Sequence, residues 1–260
     1  MALDLDGTVV DDSGRPTPRV KRAIENLKSN GVQIVFVTGR PPRWMYQISE
    51  SFDSGIAIIA NGALLYDLKK QNIVESRLLD IENQIEIVKR LRTLNNIPAF
   101  AREWIDGFNR EKNYIPRWDD GIDPVGVEKI EETIQDAVYK MLVQSKTPKT
   151  SPDIFLEEIN SKISDLAEVT YCNLGVSLVE ISRKGANKKN ALEDFASKLG
   201  INQNEVFAIG DNINDFEMLK WAGQSWVMAS GHPNGSQFAT KIAPEFENDG
   251  VAQVIEELLR

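Results

Sequence analysis

The chain has 260 residues, 42% of them hydrophobic and 27% charged, which is enough apolar material for one large core or two modest ones. Its net charge of −9 argues against general nucleic-acid binding, which depends on Lys and Arg neutralising phosphates. A single cysteine, Cys172, excludes an intrachain disulfide and a thiolate metal cluster, and a single histidine, His232, argues against a multi-histidine zinc site or a Ser-His-Asp triad.

In chain order, "ALDLDGTVV" (2–10) is a short apolar run that closes on Asp4 and Asp6 and passes at once into Gly7-Thr8, as a strand hands over to a turn. Only Met1, Ala2 and Leu3 precede Asp4, whereas a central strand runs about five or six residues, so the first strand is expected to continue upstream of Met1, the alternative being a short first strand whose amine reaches solvent at the bottom edge of the sheet. Residues 17–31 carry Val20, Ala23, Ile24 and Leu27 on one helix face, with Thr17 as cap, Pro18 in the first turn and Gly31 at the exit. Residues 32–40 and 56–62 are near-continuous apolar runs ending in Thr38-Gly39 and Asn61-Gly62, the pattern of strands buried on both faces.

The middle of the chain, 80–184, changes character. Ile81, Ile85, Val88 and Leu91 mark a helix, 97–104 and 137–145 are strands, 152–163 is a helix, and 176–182 alternates like a half-buried strand. Segments 105–126 and 146–152 are rich in Pro, Gly, Asp and Lys and are expected to be loops. The first pattern then returns: a helix over 187–200 with Ala191, Leu192, Phe195, Ala196 and Leu199 on one side, a strand over 205–211 ending in Gly-Asp, and a fifth strand over 224–230. The alternation of strands and helices predicts an α/β fold, a doubly wound, Rossmann-like parallel sheet over 1–79 and 185–260, interrupted by an inserted α/β unit over 80–184.

Ligands of such sheets bind beyond the carboxyl ends of the strands. Four strands end there in polar residues: Asp4 and Asp6, Thr38-Gly39, Asn61-Gly62, and Asp211, which is followed by Asn214 and Asp215. Converging carboxylates repel one another unless a cation lies among them, and an all-oxygen donor set favours Mg²⁺. A dication on carboxylates suits a phosphoryl substrate, with Thr38, a backbone N–H near Gly39 and a lysine left to hold the other phosphate oxygens.

"DLDGT" (4–8), "VTG" (37–39), a lysine opening a late helix (Lys188) and "GDNIND" (210–215) together resemble the four motifs of the haloacid dehalogenase superfamily. The arrangement is similar to that of the Cof-type phosphatases, whose large α/β cap lies between the second and third motifs, and "NDGVAQVIEELL" (248–259) resembles their C-terminal helix. The resemblance spans nearly the whole chain. It implies that Asp4 is the nucleophile, forming an aspartyl-phosphate, and Asp6 the general acid and then base. It implies that Thr38, the Gly39 amide and Asn214 hold the phosphoryl group, that Lys188 neutralises charge, and that Mg²⁺ is bound by Asp4, Asp211 and the Asp6 backbone carbonyl, with Asp215 orienting the site. The family's lysine precedes an Ala-Leu pair, as Lys188 does here, but Lys189 stands where the family often has glycine, and Lys184 is close by.

Asn61-Gly62 reads either as a turn or as a group facing phosphate or cap. Arg40 and Arg43 fall near the site, Arg40 with the alternative of an ion pair that stabilises the loop. His232, in "SGHPNG", is expected to be an exposed loop residue, and Trp104 and Trp118 in the cap either pack or stack on a sugar ring. The expected activity is Mg²⁺-dependent hydrolysis of small phosphorylated metabolites, sugar phosphates among them. The alternatives are a phosphomutase of the same superfamily and a non-catalytic Mg²⁺-binding regulatory module. With no apolar run approaching 18 residues and no secretory signal, no membrane partner is expected, and a cytoplasmic setting is.

Overall fold

A computed structural model describes residues 1–116, 126–145, 151–171 and 177–260, which leaves Trp118 and Cys172 outside the described residues. The chain divides into two units, one of Met1–Ser76 with Asn187–Arg260 and one of Arg77–Ala186. In the first stretch of the first unit the elements are β1 (Ala2–Leu3), α1 (Pro18–Ser29), β2 (Val35–Val37), α2 (Tyr46–Ser51), β3 (Ile56–Ile59), β4 (Leu64–Asp67) and β5 (Asn72–Ser76). The second unit contains α3 (Ile81–Leu91), β6 (Ala99–Trp104), β7 (Gly107–Arg110), β8 (Lys140–Gln144), α4 (Pro152–Ile163), β9 (Ala167–Tyr171) and β10 (Leu178–Arg183). The chain then completes the first unit with α5 (Lys188–Lys198), β11 (Phe207–Gly210), α6 (Phe216–Trp221), β12 (Gln224–Met228), β13 (Lys241–Ala243) and α7 (Gly250–Leu258).

The sheet of the first unit runs β13-β12-β11-β1-β2-β3-β4-β5. Its strands from β13 to β3 are all parallel, and β4 and β5 add an antiparallel edge. The side chains of Ala2, Val35, Val37, Ile58, Ala208 and Val227 pack with Ala191, Leu192 and Ala196 of α5 and Met218 and Leu219 of α6. Strand residues alternate between faces, so Leu3, Phe36 and Ile209 point the other way, and they too are buried. The central strands are therefore covered on both sides, which is why they read as continuous apolar runs. Thr17 caps α1, its hydroxyl accepting from the Val20 N–H, and α1 is joined to α7 by the Arg19–Glu256 pair and the Thr17–Asp249 bond. Strands β2 and β3 leave β1 in one direction and β11, β12 and β13 leave it in the other, so the strand order reverses beside β1, the point where ligands bind in sheets of this kind.

The second unit is a sheet in the order β7-β6-β8-β10-β9, antiparallel throughout. Phe100, Met141, Val143, Val179 and Ile181 of the sheet pack against Ile87, Val88 and Leu91 of α3 and Phe155, Ile159 and Ile163 of α4.

Several elements depart from the sequence reading. The strand expected over 32–40 is hydrogen-bonded as strand only over Val35–Val37, and the hairpin β4–β5 and strand β13 lie where no element was expected. Within the supposed loop 105–126, Gly107–Arg110 pairs with β6 across the Ile105-Asp106 turn. Ile85, one of the apolar residues whose spacing marks α3, is exposed, and Gln84 is buried. The Gln84 amide donates to the carbonyls of Leu79 and Asp136 and accepts from Arg102 Nε, so a polar side chain with all of its bonds made takes an interior position. Leu199 is likewise exposed, at the C-cap of α5, past its last helical residue.

Candidate functional site

β1 ends one residue before Asp4, whose backbone N–H donates to the Ile209 carbonyl of β11 at 3.0 Å. The turn that follows folds back tightly, with the Val9 and Val10 amides both donating to the Leu5 carbonyl. Gly7 takes a positive φ of 77° there. A Cβ at Gly7 would stand 2.7 Å from Asp211 Oδ2, so the turn can lie against Asp211 only because residue 7 has no side chain.

Lys188 is the first residue of α5, placed by its cap Asn187, whose side chain accepts from the Asn190 N–H. The Lys188 ammonium is fully buried and donates to Asp4 Oδ1 at 2.6 Å and to Asp215 Oδ1 at 2.7 Å. Of the three nearby lysines, Lys188 alone meets Asp4. Lys189 pairs with Glu193 on the same helix, and Lys184 belongs to the second unit and donates to the Ser164 carbonyl.

Asp215 uses both of its oxygens within the protein, since Oδ2 accepts from the backbone N–H groups of Asp211 and Asn212 at 3.0 Å each. Asp4, Asp211 and Asp215 each present an oxygen within 4.8 Å of the others. With Asp215 committed to Lys188 and to the turn, Asp4 and Asp211 are the carboxylates with coordination left to offer. Burial first, then the charge of Asp215, pushes the Asp4 carboxyl well above the usual range, with Lys188 pulling the other way. The same causes in the same order push Asp211 up to about 7. Burial opposes the Lys188 charge, but Asp215 and Asp4 more than offset it and hold the ammonium above the ordinary lysine range. Two crowded carboxylates with raised pKa values, hard oxygen donors and no soft ligand form a donor set that fits Mg²⁺.

Asp6 does not join that cluster. Its side chain is 56% exposed and paired with Arg40, whose Nη2 donates at 2.6 Å and Nε at 3.0–3.1 Å, while Arg40 Nη1 reaches Gln47 Oε1 at 3.4 Å. Arg40 is thus an ion-pair partner of Asp6, and Arg43 instead lies over the Trp44 ring, 5.1 Å from its centroid. Thr38 is fully buried at the end of β2, its hydroxyl accepting from the Arg40 N–H. Asn214 Nδ2 donates to Asn61 Oδ1 at 3.0 Å.

His232 corrects the sequence expectation: it is half-buried, its ring edge-on to Phe216 with centroids 5.5 Å apart, and its N–H donates to the Asp211 carbonyl at 2.7 Å. That backbone bond braces Asp211 from the loop after β12, a support with no motif to mark it in the sequence. In the second unit Trp104 packs against the hydrophobic core, with the Arg102 guanidinium 5.7 Å from its ring centroid.

Residues 1–255 match the family model described as haloacid dehalogenase-like hydrolase. The chain is 29% identical to YxeH of Bacillus subtilis (strain 168), a protein named provisionally as a phosphatase, over 100% of this chain and 97% of that protein. It is 26% identical to the 5-amino-6-(5-phospho-D-ribitylamino)uracil phosphatase YitU of the same organism, over 99% and 96%. Among solved structures, that of BT4131, described as a subclass IIB sugar phosphatase of the superfamily, superposes with a TM-score of 0.78 at 17% identity, over 99% of this chain and 97% of that one, and so shares the fold. No helix among the described residues is long and apolar enough to cross a membrane.

Proposed function

The chain belongs to the haloacid dehalogenase-like hydrolase family and is one of its phosphatases; we propose that it cleaves small phosphorylated metabolites, sugar phosphates foremost, through an aspartyl-phosphate on Asp4 with Mg²⁺ as cofactor. The observation that carries this reading is the buried Asp4 carboxylate with one oxygen held by Lys188, leaving the other to act as nucleophile.

In the first step an Asp4 oxygen attacks phosphorus as the bond to the leaving oxygen breaks, and Asp6 gives that oxygen a proton. In the second, Asp6 takes a proton from water, the water oxygen attacks phosphorus, and phosphate leaves with Asp4 restored as carboxylate. Lys188 offsets the repulsion between a carboxylate and a phosphate dianion. Thr38, the Gly39 N–H and Asn214 hold the phosphoryl oxygens, and Asp215 fixes Lys188 and the turn that carries Asp211. Asp4, Asp211 and the Asp6 backbone carbonyl would hold Mg²⁺, which supplies positive charge facing the transferring phosphoryl group.

Choice among substrates we assign to the second unit, on the ground that it is inserted between Ser76 and Asn187 of the unit that carries the acidic cluster. Of the similar proteins, one is named for a ribityl phosphate and another for sugar phosphates, both phosphates of polyhydroxylated carbon chains, and this supports that class here. A cytoplasmic setting accords with a single cysteine.

The test is phosphate release from a panel of phosphorylated metabolites with and without a chelator. Wild type should release phosphate from sugar phosphates, lose activity to the chelator and recover it with Mg²⁺, and Asp4→Asn should be inactive but folded. Release at the wild-type rate by Asp4→Asn, or an isomerised sugar phosphate in place of free phosphate, would overturn the reading.

A further inference from the structure

At the end of β3, Ala60 and Asn61 adopt left-handed backbone conformations in succession, with φ of 50° and 54°, and both are buried. Two consecutive non-glycine residues in this region are strained, and such strain persists only where the surroundings enforce it. The surroundings here are the Thr38–Arg40 loop and the start of α5. The Ala60 N–H donates to the Arg40 carbonyl at 2.9 Å and the Asn61 N–H to the Thr38 carbonyl at 2.9 Å, so the knuckle grips both sides of Gly39. Asn61 Oδ1 accepts from Asn214 Nδ2 at 3.0 Å, across 153 residues of chain. Gly62, with φ of 98°, lies so close to the start of α5 that a Cβ there would stand 2.3 Å from the Asn187 carbonyl oxygen, one residue before Lys188.

We propose that Asn61 is a positioning residue: its side-chain oxygen fixes the orientation of the Asn214 amide, and the left-handed knuckle around it holds the Thr38–Arg40 loop in register with Asn214 and with the start of the Lys188 helix. The inference rests on reading Asn214 as a group that holds phosphate. It gives Asn61 a role beside the phosphate contact expected of it, since the atom turned to Asn214 is its acceptor oxygen, which a phosphate could not use. An aim set by one hydrogen bond matters because small misplacements of a phosphate-holding group are costly in rate. The conformation also bears on the residue type, since asparagine and aspartate are the short side chains with an acceptor that tolerate the left-handed region.

The experiment is a double-mutant cycle of Asn61→Gly and Asn214→Ala, read as kcat/KM for p-nitrophenyl phosphate, inhibition by orthovanadate, and Tm. Glycine keeps the left-handed turn and deletes only the amide. Asn61→Gly should hold Tm near wild type while kcat/KM falls about tenfold or more and orthovanadate binds more weakly. In the Asn214→Ala background the Asn61→Gly loss should vanish. Should the Gly variant not fold, Asn61→Ser, whose hydroxyl is too short to reach Asn214, carries the same cycle. Losses that multiply in the double variant, or an Asn61→Gly enzyme at the wild-type rate beside an impaired Asn214→Ala, would overturn the inference alone. Wild-type rates in Asn214→Ala would overturn it together with the reading of Asn214.

Discussion

Replacing Lys188 by alanine removes the one buried cation from a cluster of three carboxylates. Its nitrogen is 2.6 Å from Asp4 Oδ1 and 2.7 Å from Asp215 Oδ1. At an effective dielectric of about 20, each such pair attracts by ~6 kcal/mol before desolvation. Desolvation offsets much of that in the intact cluster, but taking away one partner leaves the others buried and uncompensated, at a typical cost of ~3–5 kcal/mol. The carboxylates can limit the cost by taking up protons, since burial and mutual crowding already raise Asp4 and Asp211. The sign follows: with Lys188 gone the folded variant holds protons that its unfolded chain releases above about pH 4, so its stability falls as pH rises. Lys188→Ala should therefore be ~3–5 kcal/mol less stable than wild type near pH 8 without metal, and the gap should narrow near pH 5.5. Turnover should drop about 100-fold or more. Urea unfolding followed by circular dichroism at the two pH values reads the first effect, and phosphate release reads the second. A loss below about 1 kcal/mol near pH 8, or a loss independent of pH, would refute the electrostatic reasoning.

Lys189→Ala should be mild in both assays, because among the described residues Lys189 pairs with its own helix, through Glu193 and Asn190; a rate lower than that of Lys188→Ala would reverse the assignment. Mg²⁺ affinity should rise with pH, by up to tenfold per unit for each ligand carboxyl still protonated, since Asp211 at about 7 and Asp4, raised well above its usual range, both hold protons that the ion must displace. Titration calorimetry near pH 5.5, 6.5 and 7.5 checks this, and a flat profile would contradict it. Arg40→Gln should leave stability within about 1 kcal/mol, because the Asp6 carboxylate is 56% exposed and stays solvated once its partner is gone. Its kcat/KM should fall more for an alkyl phosphate, whose leaving group needs the Asp6 proton, than for p-nitrophenyl phosphate; an equal fall for both would place Arg40 on the phosphoryl group instead.

The buried half of the fold was readable because physics writes it plainly. Strands covered on both faces must be apolar throughout, and polar residues at their carboxyl ends then stand out, as Asp4, Thr38, Asn61 and Asp211 do. The edge strands β5, β7 and β13 escaped notice because three to five half-exposed residues carry neither an apolar run nor a firm alternation. Helix periodicity passes over Gln84 because it counts apolar residues and cannot foresee that this amide will find three partners inside. The Asp4–Lys188 pair was legible only through the motif resemblance. The Asp6–Arg40 and Asn61–Asn214 contacts join residues 34 and 153 apart and depend on where strands end in space, so no local pattern announces them.

The central claim is that the phosphoryl group passes through Asp4, and borohydride trapping tests it most directly. Borohydride reduces an acyl phosphate to an alcohol, so enzyme quenched during turnover of p-nitrophenyl phosphate should carry homoserine at position 4, found by peptide mass spectrometry and absent from Asp4→Asn. An enzyme that turns over under the same conditions with Asp4 unmodified, or with the reduced residue at another position, would contradict the account.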